Sequence, residues 1–272
     1  MLAKILQLLK GEDISLAAPI PLSECTFKRP YLLEREGFSL TEGTAIMLAV
    51  PYYTPSCVGA SVSAYAVSRD YHAFFGELFG SILPLLREEF PTTRFCGFAD
   101  HSPIDELHAA ARAGLGVMGK NGLLITREHS SFVFLGEIVC DAAIPCETSE
   151  IRGCFNCRAC LRECPMTDTL PCLSAVTQKK GTLTPEEEDY ILRHGCAWGC
   201  DICQNVCPYT HQALKSGSIY TKIPFFLENP IPRPTVLDIQ AMSDGDFALR
   251  AYSWRGRECI LRNLDLLENK KS

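Results

Sequence analysis

The sequence predicts an α/β or α+β domain followed by a cysteine-rich, metal-binding module. Short apolar segments alternate with amphipathic segments in the first half of the chain, as expected where strands alternate with helices. Nine of the fifteen cysteines then lie between Cys154 and Cys207, mostly at the spacings of metal ligands. We therefore divide the chain into residues 1–148, residues 149–215 and a tail of loops and helices, residues 216–272.

Four strands and two helices are predicted in the first segment. The strands are apolar runs at residues 44–50, 93–99, 123–126 and 131–139. One helix covers residues 70–90, where Pro84 should kink or shorten it. The other runs to about residue 112, with Ser102 as its N-cap and Pro103 in its first turn. A glycine-dense loop follows at residues 114–122.

Fewer elements are predicted in the rest of the chain. Thr184 should cap a helix, and Glu187 completes a capping box with it. Residues 209–234 are predicted to be mostly loop. One or two helices should follow, the clearest over residues 247–267.

The composition excludes several classes of protein. No run of 18 apolar residues occurs, and the N-terminus lacks a long apolar region with a cleavage site, so we expect neither a membrane span nor a signal peptide. An odd number of cysteines at metal-ligand spacings indicates a reduced, cytoplasmic protein with metal clusters. The net charge of −6 argues against a broad basic surface for nucleic acid.

The cysteine spacing is close to that of a ferredoxin with two [4Fe–4S] clusters. The first run, C-x₂-C-x₂-C-x₃-C-P, comprises Cys154, Cys157, Cys160, Cys164 and Pro165. The second, C-x₂-C-x₃-C-P, comprises Cys200, Cys203, Cys207 and Pro208. In ferredoxins the fourth cysteine of such a run ligates the other cluster. One cluster is therefore assigned Cys154, Cys157, Cys160 and Cys207, and the other Cys164, Cys200 and Cys203. Zinc knuckles also use paired cysteines, but without interlocked triplets and Cys-Pro ends.

The second cluster needs a fourth thiolate, for which the residues leave two candidates. A plain two-cluster ferredoxin would have a cysteine at position 197, where this chain has Ala197. Cys172 and Cys196 both remain possible ligands on spacing alone. The module therefore departs from a plain ferredoxin.

Several further motifs resemble one known family when taken together and in order. They are Ala64-Tyr65-Ala66-x-x-Arg69-Asp70-Tyr71-His72, Asp100-x-x-Pro103, Arg112-Ala113-Gly114-Leu115-Gly116-x-x-Gly119-Lys120-Asn121, Ser131-Phe132-x-x-Leu135-Gly136 and Gly199-Cys200-Asp201-x-Cys203-Gln204-x-Val206-Cys207-Pro208. This combination resembles epoxyqueuosine reductase over roughly residues 45–208, and again weakly near residues 253–263. The chain looks like a short member without the C-terminal helical-repeat extension.

The resemblance implies a fold, cofactors and a reaction. It implies a cobalamin-binding α/β domain fused to a two-cluster ferredoxin-like module, akin to reductive dehalogenases. The reaction is the last reductive step of queuosine synthesis on tRNA, in which electrons pass through two [4Fe–4S] clusters to cobalamin and an epoxide becomes an alkene. A flavodoxin or ferredoxin is the expected low-potential donor. The resemblance also selects Cys172 over Cys196 as the fourth ligand.

The resemblance further implies site residues in the first segment. Asp100 matches the proton donor of the family, since the departing oxygen needs an acid. The alternative is that Asp100 caps the helix at Ser102, where the helix N-terminus would lower the pKa of its carboxyl. The cobalamin contacts expected from the resemblance are Gly116, Gly119, Lys120, Asn121 and Ser131, although the loop could also be an ordinary turn with a solvated lysine. His72 and His101 could be cobalt ligands, substrate contacts or structural residues.

Two other functions remain open on the sequence. One is a related cobalamin-dependent reductase of a small molecule, and the other is a two-cluster electron carrier without a substrate of its own. Cobalamin binding would exclude the carrier. A basic groove leading to Asp100 would favour tRNA over a small molecule.

Overall fold

The computed structural model describes residues 1–269 and contains a central antiparallel sheet. Its strands are β1 (Ala17–Pro21), β2 (Thr44–Pro51), β3 (Phe95–Phe98), β4 (Val117–Met118), β5 (Leu124–Ile125) and β6 (Val133–Cys140). Four of them form one sheet in the order β1–β2–β6–β3, and β4 and β5 form a separate two-stranded ribbon. The mixed fold is therefore of the α+β type, as predicted, with antiparallel rather than parallel strand pairs.

Thirteen helices are found within residues 1–269. They are α1 (Leu2–Gly11), α2 (Tyr31–Glu34), α3 (Tyr71–Glu89), α4 (Glu106–Arg112), α5 (Ala159–Arg162), α6 (Leu173–Thr177), α7 (Pro185–His194), α8 (Ile202–Asn205), α9 (Pro208–Ser216), α10 (Pro224–Leu227), α11 (Val236–Ala241), α12 (Asp244–Ala248) and α13 (Arg257–Asn269). None of these is both long and apolar enough to cross a membrane.

Helices cover both faces of the sheet. Ile46 and Ile138 point to one face, in the apolar cluster that includes α1 and α3. Met47 and Val139 point to the opposite face, under α4. This alternation follows from the two-residue period of a strand. Every residue of β2 is buried because both faces are covered, which explains its continuous apolar sequence.

Four of the six strands match their predicted positions, and two were missed: the short β4, which lies in the predicted glycine-dense loop, and β1. β2, β3, β5 and β6 lie within or one residue beyond the predicted runs. Strand β1 pairs with β2 at the edge of the sheet and contains Pro19 and Pro21. Proline lacks a backbone donor and is tolerated only at such edges, so its presence hid the strand.

Two helix predictions in the first segment need correction. α3 is not shortened at Pro84 but continues to Glu89. Pro84 is exposed, so water can bond to the carbonyl that its ring leaves without a donor. The second helix begins at Glu106 with Asp105 as N-cap, not at Ser102. The Ser102 hydroxyl is instead bonded to the buried Glu137 carboxyl.

The tail differs from its prediction in two places: a helix lies where a loop was predicted, and the last predicted helix is divided into two. Residues 208–216 form α9, with Pro208 in its first turn and Gly217 in the left-handed conformation after its last residue. The predicted helix over residues 247–267 is interrupted between α12 and α13. In that interval the buried Arg250 guanidinium donates to the carbonyl of Val67 at 2.6 Å, which holds this part of the chain against the sheet domain. The predicted Thr184–Glu187 capping box is confirmed.

The cysteine-rich segment is held closely against the sheet domain. Ser63 N–H donates to the Trp198 carbonyl at 2.7 Å, and Cys154 N–H donates to the Met118 carbonyl at 3.0 Å. The fully buried Trp198 side chain belongs to the same apolar cluster as the helices that cover the sheet. The three-part division of the chain stays a prediction, but residues of all three parts share this core.

Candidate metal centres and active-site cleft

Four cysteines from both runs meet at one cavity, as the spacing predicted. Cys154, Cys157, Cys160 and Cys207 line it, beside Asn121. Burial raises the pKa of the Cys160 thiol, and the neighbouring thiolates of Cys207, Cys154 and Cys157 raise it further. A positively charged metal centre would reverse this repulsion, because it deprotonates its thiol ligands. The donor set therefore fits a [4Fe–4S] cluster, which takes four thiolates.

The loop of this first group is sharply curved around Cys157. Asn156 and Arg158 on either side both have a φ of 60°, in the left-handed region. Asparagine adopts this conformation readily, whereas arginine does so at a cost of about 1–3 kcal/mol. Arg162 donates to the Cys157 carbonyl at 2.8 Å and holds the curve. Cys157 therefore lies at the turn of a tightly curved stretch of backbone.

The second group contains Cys164, Cys172, Cys200 and Cys203. Burial raises the pKa of the Cys203 thiol to about 12, and the thiolates of Cys200, Cys164 and Cys172 add to the effect. Cys196 is turned away, since its thiol donates to the carbonyls of Trp198 and Gly199 at 3.5 and 3.2 Å. The structure therefore brings Cys172, rather than Cys196, to the other three thiols.

A single metal ion and an iron–sulfur cluster place different geometric demands on their cysteine ligands. Within residues 1–269, no three histidine, cysteine, aspartate or glutamate side chains converge closely enough to share one metal ion. A structural zinc ion draws four ligands to about 2.0–2.3 Å around one centre, whereas a cubane binds each thiolate to a different iron.

Asp201 fixes the second group to the sheet domain. Its carboxylate accepts from the Ser63 hydroxyl and the Ala64 N–H, both at 2.6 Å, and from the Gln204 amide at 2.9 Å. Burial raises the pKa of this carboxyl, and the Ser63 and Ala64 bonds oppose the rise. Since Asp201 lies between Cys200 and Cys203, these bonds set where the two thiols face.

A cleft of about 820 Å³ joins the second cysteine group to Asp100. Cys172, Cys200 and Cys203 lie on one wall, and Asp100 lies among the lining residues of the sheet domain. The lining also includes large apolar and aromatic side chains and a few polar ones: Tyr52, Tyr65, Tyr71, Phe134, Trp254, Asn121, Ser131 and Gln204. A cavity of this size, mostly apolar with convergent polar groups, is typical of a cofactor or substrate site.

Asp100 pairs with a histidine and does not cap a helix. Its Oδ2 lies 3.5 Å from His72 Nε2, and His72 Nδ1 lies 2.8 Å from Asp70 Oδ1. The hydrogen bonds to Asp100 and then Asp70 raise the pKa of His72 to about 9. The same contact lowers the pKa of Asp100. At neutral pH the shared proton therefore resides on His72, and Asp100 is ionised. The pKa of Asp100 is lowered, as a helix N-terminus would lower it, but the cause is His72.

Two further carboxyls lie behind Asp100, and the sequence analysis did not identify them. Glu106, the first residue of α4, accepts from the Asp100 N–H at 3.2 Å. Glu137 on β6 is completely buried and accepts from the Ser102 hydroxyl at 2.5 Å. Glu137 is the one charged residue in an otherwise apolar run over residues 132–140, and that signal could have marked it.

Of the five residues predicted to contact cobalamin, three line the cavities and two lie away from them. Asn121 lines both cavities, Lys120 lines that of the first cysteine group, and Ser131 lines the cleft and donates to Gln204 at 2.9 Å. Gly116 and Gly119 lie against β5. A Cβ at Gly116 would lie 2.5 Å from the Ile125 carbonyl oxygen, so the close β4–β5 contact itself requires a glycine there.

The comparisons with known proteins agree on one family. No family model matches the chain. It is 31% identical to the epoxyqueuosine reductase of Gloeobacter violaceus over 218 residues, which cover 75% of this chain and 68% of the relative. It is also 31% identical to that of Escherichia coli over 194 residues, which cover 68% of this chain and 50% of the relative. The chain thus aligns with about half to two thirds of the length of these curated relatives.

A solved structure gives the same result for the fold. It is a crystal structure of an epoxyqueuosine reductase with an epoxyqueuosine-modified tRNA-Tyr stem loop. The match has a TM-score of 0.73 at 23% identity and covers 97% of this chain and 80% of the other. The sequence motifs, the two groups of cysteines and these similarities lead to the same assignment: the chain belongs to the epoxyqueuosine reductase family.

Proposed function

We propose that this protein reduces the epoxide of epoxyqueuosine in tRNA to the alkene of queuosine. The observation that carries the proposal is the single cleft, which has the thiols of the second cysteine group on one side and the Asp100–His72 pair on the other. A redox centre and a proton source thus face the same space, as a reductive elimination of oxygen requires.

The eight grouped cysteines are the proposed ligands of two [4Fe–4S] clusters. Cys154, Cys157, Cys160 and Cys207 would hold the first cluster, and Cys164, Cys172, Cys200 and Cys203 the second. The cleft between the second group and Asp100 is the proposed cobalamin site, with Asn121 and Ser131 as polar contacts. When bound, the clusters would supply low-potential electrons, and cobalamin would use them to reduce the carbon–oxygen bonds. Gly116 and Gly119 would act by letting β4 and β5 approach closely, which positions Lys120 and Asn121.

Asp100 and His72 are the proposed acid of the reaction. His72 carries the mobile proton at neutral pH, and Asp100, with a left-handed φ of 62°, extends from an exposed loop into the cleft. Asp70 accepts from the other ring nitrogen and orients the imidazole. Asp100 would direct the proton of this pair towards the departing oxygen.

Electrons would enter at the first cysteine group from a flavodoxin or ferredoxin. Cys157 is exposed there. Three large apolar side chains near it in sequence are also exposed, namely Phe155, Leu161 and Met166. We propose that they form one patch, since contiguous exposed apolar patches mark protein interaction sites. A reducing, cytoplasmic location is also proposed, because an odd number of cysteines, most of them at metal-ligand spacings, suits a compartment that keeps thiols reduced.

The edges of the cleft favour tRNA over a small molecule. Lys28 and Arg29 line a cavity that shares Asp100 with the cleft. Trp254 is 57% exposed at the cleft, and the Arg255 guanidinium lies 3.8 Å from its ring centroid. Unpaired bases of RNA stack on such aromatic and guanidinium surfaces, while cations neutralise phosphates. These basic groups therefore provide local positive charge for phosphates, although the net charge of the chain is negative.

The test uses anaerobically reconstituted protein with cobalamin and a low-potential reductant. Epoxyqueuosine-containing tRNA is added, and its nucleosides are analysed after digestion. We expect conversion to queuosine by the native protein and at least a 10²-fold slower conversion by Asp100→Asn, the usual loss on removing a general acid or base. Asp13→Asn is the matched control, because Asp13 is also exposed and also has a left-handed φ, which asparagine tolerates.

The outcomes separate the candidate functions. No conversion by protein that contains both clusters and cobalamin would refute tRNA as substrate and leave the small-molecule reductase. Protein that holds two clusters but binds no cobalamin would indicate the electron carrier. Equal activity of the two aspartate variants would refute the role of Asp100.

A further inference from the structure

The proposed reaction consumes more protons than the Asp100–His72 pair holds. Conversion of an epoxide to an alkene breaks two carbon–oxygen bonds, takes up two electrons and two protons, and releases the oxygen as water. The electrons come from the reductant through the cofactors. The Asp100–His72 pair carries one mobile proton at neutral pH. Each turnover therefore requires a second proton, which a protonated group close to the cleft can supply.

Glu137 is a buried carboxyl with no cation to balance it. It lies in the centre of the sheet, where β6 pairs it with Met47 of β2 and Phe98 of β3. Its Oε1 accepts from Ser102, and within residues 1–269 its buried Oε2 has no N–H or hydroxyl donor. A charged carboxylate in such surroundings is very costly, so Glu137 is protonated. Glu106 is its neighbour, and a neutral Glu137 can donate to Glu106.

Glu106 connects this buried carboxyl to the cleft. It lines both cavities that contain Asp100, and its Oε1 accepts from the Asp100 backbone N–H. Burial raises the pKa of Glu106 to about 7, and the charge of Asp100 opposes its ionisation further. The ionisable groups that face the pair are Asp100, Lys28, Tyr71 and Cys25. Of these, Lys28 is the cation, and it is also paired with Asp105 at 3.0 Å.

We propose that Glu106, held by the neutral Glu137, is the second proton donor at this cleft. This inference rests on the proposed function. Glu106 releases its proton to the oxygen as it leaves and regains a proton from solvent after water departs. Glu137 stays protonated throughout and is a positioning residue, because it touches Glu106 rather than the substrate.

Infrared spectroscopy tests the carboxyl pair without any substrate. The carbonyl stretch of protonated carboxyls is followed from pH 5 to pH 10 in the cluster-containing protein, and each variant spectrum is subtracted from the native one. We expect Glu137→Gln to remove a band that persists at pH 9 and Glu106→Gln to remove a band that disappears with a midpoint near pH 7. Glu34→Gln, an exposed carboxyl on α2, should remove neither band.

Single-turnover kinetics on epoxyqueuosine tRNA tests the proton transfer. At pH 6 we expect Glu106→Gln to slow conversion about 10²–10⁴-fold. The ratio of native to variant rates should then fall about tenfold for each pH unit above 7, as native Glu106 loses its proton. A residue that only supports the Asp100 loop would give the same ratio at every pH. Near-ultraviolet circular dichroism confirms that each variant is folded.

The results distinguish this inference from the proposed function. Conversion by the native protein together with a pH-independent ratio would overturn the role of Glu106. The absence of both infrared bands would overturn the protonated pair. If the native, fully loaded protein converts no tRNA, the proposed function fails and the role of Glu106 fails with it. The infrared bands would still decide whether the two carboxyls hold protons.

Discussion

The Asp100–His72 contact leads to a prediction about stability that requires no substrate. The pKa of His72 is raised from 6.5 to about 9 in the folded protein, chiefly by Asp100. Protonation of His72 therefore stabilises the fold fully below pH 6.5, and this contribution disappears as the pH rises through 9. A shift of this size in a buried group would be worth more than about 3 kcal/mol. The His72 side chain is 53% exposed, and solvent screening reduces the contribution to about 1 kcal/mol.

The assay compares His72→Gln with the native protein in thermal unfolding. A loss of about 1 kcal/mol should lower Tm by roughly 2–4 °C at pH 6 in a chain of this length. The difference should vanish at pH 10, where His72 is neutral in both the folded and unfolded states. His211→Gln, at an exposed position on α9, is the control and should show no such pH-dependent difference.

An NMR titration of the His72 ring identifies the partner responsible. Asp100→Asn should lower the pKa of His72 more than Asp70→Asn does, because Asp100 is the larger cause of the shift. A native His72 that titrates near 6.5 would refute the reasoning. So would a loss of Tm in His72→Gln that is the same at pH 6 and pH 10.

Two further predictions concern the second cysteine group and the sheet. Cys172→Ser should lower the iron content of reconstituted protein below about eight atoms per chain and reduce its cluster absorbance, whereas Cys196→Ser should leave both unchanged; the opposite result would exchange the ligand assignments. Gly136→Ala should destabilise the protein by about 1–3 kcal/mol, because the new Cβ would lie 2.5 Å from the Phe75 ring. Gly80→Ala on α3, where a Cβ meets nothing within 4 Å, is the matched control, and an equal loss of Tm in both would contradict the steric argument.

Local chemistry in the sequence was sufficient for several features. The strands of the sheet, apart from β1, were predictable because each is a mostly apolar run, and the central β2 is buried on both faces. The Thr184–Glu187 capping box was predictable because every group in it lies within four residues. The grouping of Cys207 with the first run was predictable from the ferredoxin spacing, because in ferredoxins the last cysteine of each run ligates the other cluster.

The wrong predictions concern side chains whose hydrogen-bond partners lie far away along the chain rather than nearby. Ser102 had the sequence of an N-cap, but its hydroxyl bonds to Glu137, which is 35 positions away along the chain. Arg250 lay in a helical pattern, but it lies between α12 and α13, where its guanidinium bonds to the distant Val67 carbonyl. Such contacts depend on which segments the sheet register brings together, and no local pattern contains that information.

The sequence by itself determined the family, the α+β class and the cysteines that can bind clusters, because thiol ligation needs particular residues at particular short spacings. The tertiary structure alone decided the protonation of the site. His72 with Asp100, and Glu106 with Glu137, meet only after the sheet and its covering helices have formed. Their pKa values depend on burial and on neighbouring charges, which are properties of the folded arrangement and not of the chain.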